Sequence, residues 1–173
     1  MRVVAGTFKG RRLAAPRGTR TRPTDDRVRE ALFSMLGDVG GTRVLDLYAG
    51  SGALGIEALS RGAAEAAFVD RDRRAVAAIR RNLDAVGAKA AVVKGSATTF
   101  VRQRQHGYDL VFVDPPYDAA SRLAAPLSEA LPGILTEDAR IVTESDKRNP
   151  LTLNLPLLRE RDYGDTRITI HGP

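Results

Sequence analysis

Apolar residues along this chain follow two rhythms. The segments TRVLDL (42–47), AAFVD (66–70), AAVVKG (90–95), YDLVFVD (108–114) and ARIVTES (139–145) are short runs rich in Val, Leu and Ala. Such runs suit strands buried on both faces of a parallel sheet. The stretches between them, 53–61, 72–86, a short one near 98–105, and 121–131, carry apolar residues at helical spacing, and Gly62 and Gly87 close the first two. Strands alternating with helices of this length predict an α/β, doubly wound, mostly parallel sheet. The end of the chain breaks the alternation: LRERDYGDTRITIHG holds two strand-like runs around YGD with no helix between them, predicting a terminal antiparallel hairpin and a seven-stranded sheet. At the other end, RVVAG and RRLAA flank TFKG and predict a small β-hairpin. From Thr24 the rhythm turns helical. Thr24 caps, Asp25 and Asp26 favour the positive end of the helix dipole, Val28, Ala31, Leu32, Met35 and Leu36 recur at helical spacing, and Gly37 ends the run. The expected division is a hairpin arm, 1–23, and a main domain, 24–173.

Composition narrows what such a domain does. With 173 residues and 43% hydrophobic content the chain can bury a core of its own. It has no apolar run of membrane-spanning length, and MRVVAGTFKGRR lacks the apolar core and cleavage site of a signal peptide, so the expectation is a cytoplasmic protein, apart from membranes. Zero cysteines and two histidines, His106 and His171, exclude a disulfide framework and argue against a metal site. Charge is unevenly placed. Residues 1–29 hold nine basic side chains against Asp25 and Asp26, although the whole chain carries only +6, so the rest is nearly neutral. A basic segment on a neutral body is the footprint of a phosphate-binding arm. Lys9, Arg11, Arg12, Arg20, Arg22 and Arg27 are the candidate contacts; Lys147 reads equally as a nucleic-acid contact or a solvated turn.

In doubly wound sheets ligands bind outside the carboxyl ends of the strands, against the first strand and its turn. That turn is DLYAGSGALG, 46–55, in which Gly50, Gly52 and Gly55 spell G-x-G-x-x-G, and Asp70 stands twenty residues past Gly50 at the end of the next strand. Glycines allow a tight turn and close backbone approach, while the strand-end carboxylate can accept both hydroxyls of a ribose. A nucleoside-containing cofactor follows, and the spacing alone also fits NAD. Asp46 weighs against a pyrophosphate, which it would repel; it suits a cationic aminoacyl group or a sulfonium. S-adenosylmethionine carries both, together with a ribose. The other notable stretch is DPPY, 114–117. Pro115 and Pro116 cannot extend a strand, because each fixes φ and lacks an amide N–H, so the carbonyls of Asp114 and Pro115 are held stiffly at the strand end.

Asp46 with its glycine loop, Asp70, and DPPY after the fourth strand resemble the class I, Rossmann-like S-adenosylmethionine-dependent methyltransferases acting on exocyclic amino groups of nucleobases. RVVAGTFKGRRL, RPTDDRVREALFSML, VLDLYAGSGALGIEALSRGA, DLVFVDPPY and YGDTRITI extend the match over nearly the whole chain. Together they are similar to the small bacterial 16S ribosomal RNA guanine-N2 methyltransferases, which methylate guanine 966 in the reference numbering of that RNA.

The resemblance implies that Tyr48, Ala49, Gly50, Ser51 and Gly52 line the methionine side of S-adenosylmethionine, with Asp46 organising its amino group. Asp70 would bind the ribose, beside Arg71; Ser96 and Ala97 fall where relatives usually place an acidic or polar residue near adenine N6. Asp114 would border both cofactor and substrate. An aromatic amine is a poor nucleophile, and fixed acceptors, the Asp114 carboxylate and the Pro115 carbonyl, would position it while Pro116 stiffens the turn and Tyr117 stacks on an extruded base. The implied products are N2-methylguanine and S-adenosylhomocysteine. The implied partner is 16S ribosomal RNA within the small subunit or an assembly intermediate, met by a monomeric enzyme. A DNA adenine-N6 or cytosine-N4 methyltransferase is the alternative on DPPY alone, and an NAD-dependent oxidoreductase the remote one on glycine spacing alone.

Overall fold

The structure, a computed structural model, describes residues 1–16, 26–103, 107–116 and 118–173. Arg20, Arg22, Thr24, Asp25, His106 and Tyr117 lie outside the described residues.

Strand runs and helices alternate as the pattern predicts. β1 (Arg43–Leu47), β2 (Glu65–Asp70), β3 (Ala91–Lys94), β4 (Tyr108–Val113) and β5 (Leu135–Asp146) are joined by α2 (Ala53–Ser60), α3 (Arg73–Val86), α4 (Ala97–Arg102) and α5 (Ala120–Ala130), and α1 (Asp26–Leu36) precedes them. β6 (Leu157–Tyr163) and β7 (Thr166–His171) form the terminal hairpin. The sheet has seven strands in the order β3-β2-β1-β4-β5-β7-β6, parallel from β3 to β5, with β7 antiparallel to both β5 and β6. β5 begins four residues earlier than the apolar run at 139, because the backbone of Leu135 already pairs with Tyr108 across an irregularity in the ladder.

Two apolar layers cover the sheet. One face packs Val44, Phe68, Phe112, Val142 and Ile168 against Leu32, Phe33 and Leu36 of α1 and Ile79 and Leu83 of α3. The other packs Leu45, Val111, Val113 and Ile141 against Val101 of α4 and Leu127 of α5. Helix α1 is fixed by the Phe33–Phe112 ring pair, 5.8 Å between centroids, and by Arg140, whose guanidinium donates to the carbonyls of Leu36 and Asp38 beyond its last turn.

The N-terminal segment turns back on itself as a short hairpin. Its antiparallel pairing is short: Arg2 bridges Arg12, the Val3 amide donates to the Arg11 carbonyl at 3.0 Å, the Leu13 amide to the Met1 carbonyl at 3.1 Å and the Gly10 amide to the Val3 carbonyl at 2.9 Å, while Gly6 and Gly10 take left-handed φ of 79° and 82° in the turn. Val4 and Ala5 donate to the Glu57 carboxylate at 2.7 and 2.9 Å, Phe8 donates to Ser60 Oγ at 2.9 Å, and Thr7 to the Ser60 carbonyl at 2.8 Å. Glu57, itself fully buried, also meets Arg61 at 2.8 Å and the buried Arg29 at 3.6 Å. The hairpin is therefore clamped to α2 as well as paired with itself.

Candidate active site

The parallel register brings the strand-end residues to one level. Leu47 pairs with Val69 and Val113, and Val113 pairs with Thr143. Tyr48, Asp70, Asp114 and Glu144 each stand one position further, and Asp46 one turn of the pleat below. Four strands thus deliver four carboxylates to one rim of the sheet. Glu144 is the member that sequence reasoning missed. Its signal was a carboxylate in phase with Val142 within IVTES, a strand otherwise buried throughout from Ile141 to Ser145.

Each candidate has a defined local role. Asp46, 2% exposed, accepts from the Gly55 amide at 2.9 Å and so closes the first turn of α2. Burial pushes its carboxyl up to about 8, with the nearby Asp70 charge adding to the rise and the Gly55 bond opposing it. Asp70 accepts from the Gly50 amide through one oxygen and from the Asp72 amide through the other, both at 2.9 Å. That pair of bonds ties the glycine loop to the end of β2 and aims the carboxylate; each oxygen keeps a further lone pair for a hydroxyl. The loop itself is tight: the Gly52 amide donates to the Ala49 carbonyl at 2.6 Å, and Gly50 and Gly52 have φ of 56° and 77°. Tyr48 has φ 59° and is the sole non-glycine in the left-handed region among the described residues, a strained backbone at the place where the cofactor is expected. Its hydroxyl is pushed up to about 12 by burial. Gly55 is required for contact: a Cβ there would lie 2.4 Å from the Phe68 ring and 3.1 Å from Asp46 Oδ2.

Asp114 is half-buried, Pro115 buried and Pro116 exposed. The Asp114 carboxyl is raised well above the ordinary carboxylate range, by burial first and then by the charges of Glu144 and Asp46. Pro116 gives its carbonyl to the Ala119 amide at 2.8 Å, starting α5 and fixing the far side of the turn. Ser96 caps α4, accepting from Thr99 at 3.5 Å and sharing a 2.9 Å contact with Thr98 Oγ1; Ala97 is buried in the first turn and Arg71 is exposed. Of the basic candidates, Lys9, Arg11, Arg12 and Arg27 are exposed. Lys147 donates to the Gly164 carbonyl at 2.7 Å, which stations it in the β6–β7 turn.

This arrangement is acidic and partly shielded from water. It suits a cation placed between Asp46 and Asp114, with a hydroxylated ring on Asp70. Among the described residues no group of three or more His, Asp or Glu is disposed to hold a metal ion.

The chain matches the family described as "Conserved hypothetical protein 95" over residues 1–172. It is 41% identical to YlbH of Bacillus subtilis over 99% of this chain and 98% of that protein. It is 37% identical to the ribosomal RNA small subunit methyltransferase D of Escherichia coli K12, over 99% of this chain and 89% of that protein. The solved structure of yhhF from Escherichia coli superposes with a TM-score of 0.84 at 36% identity, covering 99% of this chain and 97% of that one. Glycine loop, acidic rim and full-length similarity therefore agree: the chain belongs to the Conserved hypothetical protein 95 family, on a class I methyltransferase fold, alongside the ribosomal RNA small subunit methyltransferases D.

Proposed function

We propose that this protein methylates the exocyclic N2 of guanine 966. The coarser statement follows from family membership: the chain is an S-adenosylmethionine-dependent methyltransferase of 16S ribosomal RNA. The single observation carrying the finer reading is the half-buried Asp114, followed by two prolines, at the rim it shares with Asp46 and Glu144.

The residues fit S-adenosylmethionine by the chemistry of the donor set: Asp46 toward the ammonium, the Tyr48–Gly52 backbone along the methionine chain, Asp70 on the ribose and Ala97 near the adenine. When bound, that cofactor supplies an electrophilic methyl on a positive sulfur. The chain's own task is to hold the amine. The Asp114 carboxylate and the Pro115 carbonyl each accept one N–H of guanine N2, which turns the nitrogen lone pair toward the methyl. Methyl transfer to the nitrogen, with cleavage of its bond to sulfur, would leave positive charge on the nitrogen, where Asp114 would stabilise it. The nitrogen would then release a proton to Asp114 or water. Tyr117 stacks on the extruded base, a contact worth about 1–3 kcal/mol. The segment 1–23, through Lys9, Arg11, Arg12, Arg20 and Arg22, with Arg27 beside it, grips phosphates around the target. The enzyme acts as a monomer in the cytoplasm, on the small subunit or an assembly intermediate.

The test is transfer of labelled methyl from S-adenosylmethionine to small subunits from cells lacking the gene, followed by nucleoside mapping. N2-methylguanosine at position 966, reduced by about 10² or more with Asp114→Ala, supports the reading. Methylation at another base, or of DNA alone, overturns it.

A further inference from the structure

Asn82 belongs to neither the acidic rim nor the basic segment, yet it touches both neighbourhoods. It lies on α3, 1% exposed, on the face otherwise occupied by Ala75, Ile79, Leu83 and Val86. A carboxamide on an apolar helix face needs partners for its donors and acceptor. Its Oδ1 accepts from the Ala14 amide at 2.8 Å, and its Nδ2 donates to the Ala14 carbonyl at 2.9 Å and to the Ser51 carbonyl at 2.8 Å. Ala14 follows Arg11 and Arg12 in the basic segment. Ser51 is the middle residue of Gly50-Ser51-Gly52, whose Gly50 amide is held by Asp70. A second contact runs parallel to this one, Ser51 Oγ to Met1 Sδ at 3.3 Å. The carboxamide thus bonds the two loops side by side with no intervening residue.

We infer that Asn82 is a positioning residue that couples RNA engagement by the basic segment to cofactor binding by the glycine loop. The inference rests on the function proposed above. Two ligands that order one shared set of bonds help each other: the first bears the loss of freedom, and the second meets a segment already in place. Coupling of this kind is reciprocal. RNA that fixes Arg11 and Arg12 fixes Ala14, and through the carboxamide holds Ser51 where the methionine chain lies; cofactor that fixes Ser51 holds the segment ready for RNA.

The experiment measures binding of S-adenosylhomocysteine by calorimetry, with and without saturating 16S ribosomal RNA or small subunits, whichever accepts methyl. In the wild type, RNA is expected to tighten S-adenosylhomocysteine about 5- to 150-fold, and S-adenosylhomocysteine to tighten RNA by the same factor. In Asn82→Ala and Asn82→Asp, the latter unable to donate to Ser51, the factor is expected to fall to within about twofold of one. A purely structural Asn82 would lower the melting temperature and leave the factor intact. A wild-type factor of one, or a wild-type factor retained in the variants, overturns the inference. Should the variants not fold, amide exchange in the unaltered protein decides: RNA alone must slow exchange at Ser51 and Gly52, and protection confined to residues 1–16 overturns the coupling. Failure of the wild type to bind S-adenosylhomocysteine or RNA singly appears in the one-ligand measurements, and it overturns the functional reading together with this one.

Discussion

The rim is built from charges that the empty protein holds at a disadvantage. Asp46 is the clearest case. Its carboxyl stands at about 8 in the fold against 3.8 free. The folded state is therefore penalised by nothing below 3.8, increasingly as pH climbs toward about 8, and fully above it. A bound ammonium reverses the preference. Affinity for S-adenosylhomocysteine should rise from pH 6 to about 8 as Asp46 ionises, and fall at higher pH as the ligand's own amine loses its proton. Calorimetry across that range checks this, and Asp46→Asn should flatten the acid side. Glu144 acts on Asp114 in the same way: Glu144→Gln removes a negative neighbour, lowers the Asp114 pKa, and should shift the acid limb of the kcat/KM profile to lower pH. At Gly55 two effects compete. Alanine favours a helix by about 1 kcal/mol, but a Cβ 2.4 Å from the Phe68 ring must displace a fully buried side chain. Overpacking of that kind costs about 1–3 kcal/mol, so Gly55→Ala should destabilise in urea and weaken the Asp46 contact.

At the scale of elements, the clamp between the N-terminal segment and α2 carries the most concentrated energetics. Glu57 accepts two backbone amides and faces two arginines, one of them fully buried. Glu57→Ala would leave the Val4 and Ala5 amides without their acceptor and Arg29 with only the partly exposed Asp26 as counter-charge, and is expected to cost about 3–5 kcal/mol, read by denaturant midpoint. Glu57→Gln, which keeps the shape and an acceptor oxygen, should cost less. The alternation of strands and helices, the terminal hairpin and the glycine loop were legible in the sequence because period and punctuation are local properties. The clamp and the Asn82 bonds on α3 were not, since Glu57, Ser60 and Asn82 look like ordinary helix residues until tertiary contact supplies the amides they receive. For the same reason RVVAG and RRLAA read as strands. Their composition suits a ladder and they pair briefly, while the Val4 and Ala5 amides go to the Glu57 carboxylate, an acceptor that local pattern does not announce. Glu144 escaped because a single carboxylate in a strand gains meaning only from its level beside Asp114.

For the whole molecule, the division between a basic end and a nearly neutral body sets how binding responds to salt. Exposed Lys9, Arg11, Arg12 and Arg27 offer counterion-releasing contacts. Arg11→Ala and Arg12→Ala should each reduce the slope of log affinity for RNA against log salt by roughly 0.7–0.9, with S-adenosylhomocysteine affinity in the absence of RNA little changed. Filter binding at several salt concentrations measures it. The acidic rim has a consequence of another kind. Carboxyl groups gathered at one edge of a sheet must either repel one another or hold protons whenever no cation sits among them. The vacant enzyme is thus the more perishable form, opening more often to proteases than the occupied one. The lifetime of the protein in a cell would then follow the supply of methyl donor: a chain starved of it would be cleared, and one well supplied would persist.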